Sequence, residues 1–141
     1  MAGMIVINAE EFRRSANYAA AKMDESARLG ISQAALAVQR EAKRNASTGK
    51  HRAGTPRVNG GGPGPNVVTG FLRNSINIKV MYGFGVFAAS IGPEAEYGRA
   101  VELGSSRWKN GAKYPYMEPA LRTLSENGTL IRIIVSAFRM R

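Results

Sequence analysis

The sequence contains no cysteine, one histidine (His51), one aspartate (Asp24) and one tryptophan (Trp108). Without cysteine, disulfide stapling and thiolate-ligated metal are excluded, and nothing points to an oxidising compartment. A lone histidine lacks the second histidine that a cysteine-free zinc site needs at short spacing. A Ser-His-Asp triad would have to combine His51 with Asp24, which stand in unrelated contexts. The stretch Thr48-Gly49-Lys50 has no phosphate-loop spacing and no strong strand before it. Glu94, Glu96 and Glu102 are explained more cheaply by the charged outer face of a short helix, with Glu94 and Glu96 near its positive end. No catalytic residue, cofactor or metal is expected, and the chain does not read as an enzyme.

Long apolar runs are missing as well. None approaches the roughly 20 residues a membrane span needs. The run Met4-Ile5-Val6-Ile7 is too short, and too uncharged at its start, for a signal peptide. A soluble cytoplasmic protein with no membrane partner is the expectation. Acids are scarce: 10 against 20 Lys and Arg, a formal charge of +10. Such an excess favours a polyanionic neighbour, DNA or an acidic protein surface, over a merely solvated basic face.

What is present fits one domain spanning 1–141, with 44% hydrophobic residues supporting a modest core. Met4 to Ile7 could form a short edge strand. Asn8 reads as a helix N-cap and Glu11 completes a capping-box spacing. From there Phe12, Ala16, Ala19, Met23, Ala27, Gly30, Ala34, Val38 and Ala42 recur at spacings of three and four, drawing one apolar stripe. The pattern predicts a helix from Ala9 to about Arg44, some 50 Å long at about 1.5 Å per residue, with a kink allowed at Gly30. The stripe is either a core face or a subunit contact.

Residues 45–68 are rich in glycine and carry Lys50, His51, Arg52 and Arg57 with three prolines. They read as a flexible basic loop that orders against a partner. Thr69 is read as the N-cap of a short turn carrying Phe71 and Leu72 inward. Ile76, Ile78, Val80 and Tyr82 then alternate with Asn77, Lys79 and Met81, as in a half-buried strand. Gly83-Phe84-Gly85 supplies a turn and Val86 to Ile91 the returning strand. Pro93 suits the first turn of a short helix with Tyr97, Ala100 and Val101 inside and Gly104 as its cap. Asn110-Gly111 predicts a protruding ribbon with Arg107, Trp108 and Lys109, and with Tyr114 and Tyr116 on the return strand. Pro119 opens a last helix, striped by Leu121, Leu124, Gly128, Ile131, Val135 and Phe138, which Asn127-Gly128 could break. The architecture expected is α+β: a small, largely antiparallel sheet packed by a long N-terminal and a C-terminal helix, with a short middle helix.

Three segments in this order are informative together: Thr69-Gly70-Phe71-Leu72-Arg73-Asn74-Ser75-Ile76, Tyr97-Gly98-Arg99-Ala100-Val101-Glu102-Leu103-Gly104, and Pro115-Tyr116-Met117-Glu118-Pro119-Ala120-Leu121. Behind a long helix and a basic loop, they resemble the neck and tail-completion proteins of long-tailed bacteriophages, over most of the chain. The resemblance implies a structural virion protein at the head–tail junction, forming a ring, typically six-fold, around the DNA channel. Its partners would be the head-closure or connector protein and the tail tube or tail terminator protein. Gly70, Leu72, Ser75, Tyr97, Glu102, Gly104 and Pro119 would preserve the fold. Contacts would come from Trp108, Arg107, Tyr114 and Tyr116, and from Lys50, Arg52 and Arg57 facing the channel or a neighbouring ring. A strongly basic lumen would retard passing DNA, which places most of the charge outside the channel. Two alternatives stay open: a tail terminator ring, and a basic DNA-binding accessory protein in which Trp108 stacks on a base.

Overall fold

A computed structural model describes residues 8–47, 51–52, 55–59, 70–83, 85–106 and 113–139. Met4 to Ile7 and Thr69 lie outside them. The fold is α+β, built along one helix, α1 (Ala9–Asn45), whose 37 residues span about 55 Å. Asn8 starts it, its side chain accepting the Glu10 backbone N–H at 2.9 Å. Glu11 returns no bond to Asn8 among the described residues, so half of the expected capping box forms. Glu10 and Glu11 in the first turn, and Lys43 and Arg44 in the last, both suit the helix dipole.

The helix runs through Gly30, which serves close packing: a Cβ there would lie 3.2 Å from the Cα of Ile134. The apolar stripe divides near this point. Ser26, Gly30, Ala34, Ala35, Val38 and Ala42 are buried, whereas no residue from 9 to 25 is. Phe12, Tyr18 and Met23 stay 66%, 67% and 61% exposed. A core face therefore describes only the second half of the helix. The last described helix (Thr129–Arg139) places Ile134 and Ala137 against Gly30, and Met23, seven residues before that contact, is left exposed among the described residues.

Within 45–68, expected to be structureless, β1 (His51–Arg52) and β2 (Thr55–Asn59) form a small antiparallel ribbon, with Arg52 opposite Thr55 and His51 opposite Asn59. Pro56 is tolerated because a two-stranded ribbon consists of edges. The next element, α2 (Phe71–Asn74), is capped by Gly70 at φ 77°, a left-handed conformation that glycine adopts without penalty. Leu72 points inward as expected, but Phe71 is exposed and leans on Tyr97 with ring centroids 6.3 Å apart. A single helical turn offers the core only one side.

β3 (Ile76–Gly83) and β4 (Val86–Pro93) form the expected hairpin, paired from Ile76–Pro93 to Gly83–Val86. Its open end is buried at Ile76, and burial fades toward the tip. Three contacts fix it to α1. Gln39 Nε2 donates to the Ile76 carbonyl at 2.7 Å, Ser32 Oγ lies 3.0 Å from the Tyr82 hydroxyl, and the Arg28 guanidinium sits 4.9 Å from the Tyr82 ring centroid. Pro93 ends β4 and does not open a helix; α3 (Gly98–Leu103) starts five residues later and is capped by Gly104.

The Asn110-Gly111 ribbon lies outside the described residues. Lys113 to Tyr116 is not a return strand; the Tyr114 N–H donates to the Val101 carbonyl at 2.8 Å. The last helical segment is two helices, α4 (Met117–Glu126) and α5 (Thr129–Arg139). They part at Gly128, φ 74°, and the Asn127 side chain caps α5 by accepting the Thr129 N–H at 2.9 Å. Pro119 is the third residue of α4, where its missing N–H leaves no helical bond unmade. The core gathers at the C-terminal end of α1, from Ala42, Ala46, Leu72, Ile76, Ala95, Val101, Tyr116 and Ala120.

Candidate functional site

The three sequence segments converge on this core. Ser75 is buried; its hydroxyl donates to the Leu72 carbonyl at 2.8 Å and accepts the Ala95 N–H at 3.3 Å. Its carbonyl takes the Glu94 N–H at 2.9 Å, so this residue clasps the open end of the hairpin. Glu102, read from sequence as part of an outer charged face, turns to the start of α4. Its carboxylate accepts the backbone N–H groups of Tyr116 at 2.7 Å, Met117 at 3.0 Å and Glu118 at 2.8 Å. No side chain of α4's own cap makes such a bond. Glu102 therefore caps a helix that begins fifteen residues later in the chain, satisfying orphan donors with a charged acceptor.

Tyr116 was expected on an assembly surface, and the structure corrects this: it is fully buried. Its hydroxyl donates to the Gly98 carbonyl at 3.1 Å, and its own carbonyl accepts Asn45 Nδ2 at 3.2 Å. Burial, then the charge of Glu102, then Tyr97 push the phenol well above its ordinary titration range. The ring fits because Gly98 has no side chain: a Cβ there would come within 2.5 Å of Pro93 Cγ and 3.1 Å of the Tyr116 hydroxyl. No sequence signal separates Tyr116 from Tyr114, since alternation on a strand would have placed both outward. The role of Gly98 was legible only as part of the segment Tyr97 to Gly104.

Of the other expected contact residues, Lys50, Arg107 and Trp108 lie outside the described residues, and Arg52 and Arg57 are placed by backbone alone, on β1 and β2. Tyr114 is half-buried and packs against the core. The surface left open is elsewhere. It includes the first half of α1 and the outer side of α5, where Ile131, Val135 and Phe138 are 67%, 40% and 42% exposed, besides single exposed side chains such as Met81, Val86, Leu103 and Leu121 on other elements. Among the described residues no group of three or more His, Cys, Asp or Glu side chains could hold a metal ion, and no helix is long and apolar enough to cross a membrane. Charge is unevenly distributed: residues 1–41 hold five bases and five acids, and the remaining 100 hold fifteen and five. Between Glu41 and Glu94 there are seven bases and no acid.

Comparison with known proteins places this arrangement. The model of the family described as "Bacteriophage HK97-gp10, putative tail-component" matches residues 10–104, from the first turn of α1 to the glycine that caps α3. No curated protein and no solved structure matches the chain. The matched span covers two of the three segments, and Glu102 inside it ties down the third. The chain belongs to the HK97-gp10-like family of bacteriophage tail components, and its role is structural and tail-related.

Proposed function

We propose that the protein assembles into a ring, six-fold in expectation, at the head–tail junction of the virion. There it joins the head-closure or connector protein to the tail tube or tail terminator protein around the DNA channel. The observation that carries this reading is the bare first half of α1, seventeen residues bearing Phe12, Tyr18 and Met23, none of which is buried among the described residues. Helical stability in proteins comes mainly from packing an apolar face, so such an extension calls for a neighbour. Arg107, Trp108 and Tyr114 contribute to the contact between subunits or between rings. The segment from Lys50 through Arg52 to Arg57 faces the channel or the next ring, and most of the positive charge lies outside the lumen.

Native mass spectrometry over a range of concentrations and two salt levels tests the proposal. A closed ring, alone or only with tail-tube or connector protein, is the expected result; a monomer indifferent to both proteins overturns it. Assembly unaffected by both Trp108→Ala and deletion of Gly60 to Gly64 would remove those residues from the contact. A second reading, DNA binding, is favoured by the acid-free stretch between Glu41 and Glu94. It requires affinity that falls steeply with salt, because each neutralised phosphate releases counterions.

A further inference from the structure

Two apolar helical stripes lack partners among the described residues, and they differ in charge. The first lies on the early half of α1, where Phe12, Ala16, Ala19 and Met23 continue the face that holds Gly30 against α5. Glu11, Arg13, Lys22 and Asp24 flank it; Arg13 pairs with Glu10 and Lys22 with Glu25, whereas Glu11 and Asp24 form no ion pair among the described residues. The second is the stripe Ile131, Val135 and Phe138 on α5, spaced by four and three residues and bordered by Arg132 and Arg139, which likewise form no ion pair among the described residues. Residues 9–25 hold four acids and three bases; α5 holds two bases and no acid.

Within one copy these stripes do not meet among the described residues. α5 packs on α1 at Gly30 through Ile134 and Ala137, and its described residues, to Arg139, leave Phe12 to Met23 exposed. Pairing each stripe with its own copy is also opposed by charge. Two antiparallel early halves would bring Glu10 and Glu11 toward Asp24 and Glu25, and two α5 helices would bring Arg132 and Arg139 together. Only the crossed combination joins a stripe whose flanking charges without an ion pair among the described residues are acidic to one whose such charges are basic.

We infer that the first half of α1 of one copy lies along the outer face of α5 of a second copy. Different patches meet across this contact, so it is heterologous, as ring closure requires. It rests on the ring proposal and adds which two surfaces build the ring.

The test uses two variants of the full chain altered at exposed positions. One carries Phe12→Glu with Met23→Glu, the other Ile131→Glu with Phe138→Glu. Each alone is expected to remain monomeric at tenfold the concentration at which the unaltered protein assembles, with an unchanged melting temperature. Mixed, they should form a one-to-one dimer that grows no further, since one sound contact remains and its far ends are both spoiled. If the α5 variant melts early, Arg132→Glu with Arg139→Glu takes its place. Rings formed by either variant alone would overturn the contact and leave the ring proposal standing. Two monomeric variants that fail to pair would also overturn it, pointing to like-with-like pairing or to a different virion protein on these stripes. If assembly needs tail-tube or connector protein, the mixing is done in its presence. An unaltered protein that stays monomeric even then sinks the ring and the contact together.

Discussion

The two halves of α1 are the same kind of sequence put to different uses. Both carry small apolar residues at helical spacing, yet Ala34, Ala35, Val38 and Ala42 are buried while Phe12, Ala16, Ala19 and Met23 are exposed. The second half meets α5, the hairpin and the start of α4, whereas no described residue buries the first. Helical periodicity shows that a face exists and is silent on what covers it. Cover depends on where other elements end, which is decided by turns and caps far along the chain, such as Gly128 and Glu102.

This contrast can be tested by unequal damage. The largest loss is expected from Tyr116→Ala, which empties the centre of the core and should cost about 3–5 kcal/mol in denaturant unfolding. Gly98→Ala follows at about 1–3 kcal/mol, because its Cβ meets Pro93 and the Tyr116 hydroxyl at once. Glu102→Ala should cost about 1–3 kcal/mol by stripping the acceptor from three N–H groups at the start of α4. Glu102→Gln, which retains one acceptor oxygen, should lose less. If Glu102→Ala melts like the unaltered protein, the cap does not hold the C-terminal helices in place.

Alkali should act on the same core. The Tyr116 phenol titrates higher in the folded protein than its ordinary value of 10.0, so its contribution to stability is complete below that pH. Above it the unfolded chain gives up the proton first, and stability falls as pH rises further. Melting temperatures across pH 8 to 11, taken with about equal steps, should show this decline weakened in Tyr116→Phe. The smallest effects belong to the other end of the molecule. Phe12→Ala and Met23→Ala should leave the stability of the isolated chain within about 0.5 kcal/mol, since each truncates an exposed side chain. A large loss there, measured on the monomer, would mean that the first half of α1 packs on its own chain after all.

Much of the fold was legible before the structure. The start of α1 follows from Asn8 and the acids behind it, its length from an unbroken three-four spacing, and the hairpin from the alternation beginning at Ile76. Local rules failed where a residue's partner is remote. Phe71 and Leu72 are neighbours of similar character, and only the position of the core turns Leu72 inward. Tyr114 and Tyr116 are equivalent as sequence, but Tyr116 alone finds the gap over Gly98 and the waiting carbonyl. Glu102 looked like one more surface acid because its three donors come from the start of a different helix.

By itself, the sequence determined the long first helix, the β3–β4 hairpin, the short middle helix, the absence of thiol chemistry, the excess of positive charge and the three segments, two of which fall inside the family match. Periodicity, capping and composition are properties of neighbouring residues, so they can be read without a third dimension. Only the tertiary structure decided which tyrosine is the core, which glutamate is the cap and which half of α1 is bare. Each of those depends on a distance between residues far apart in the chain, and such distances exist only after folding.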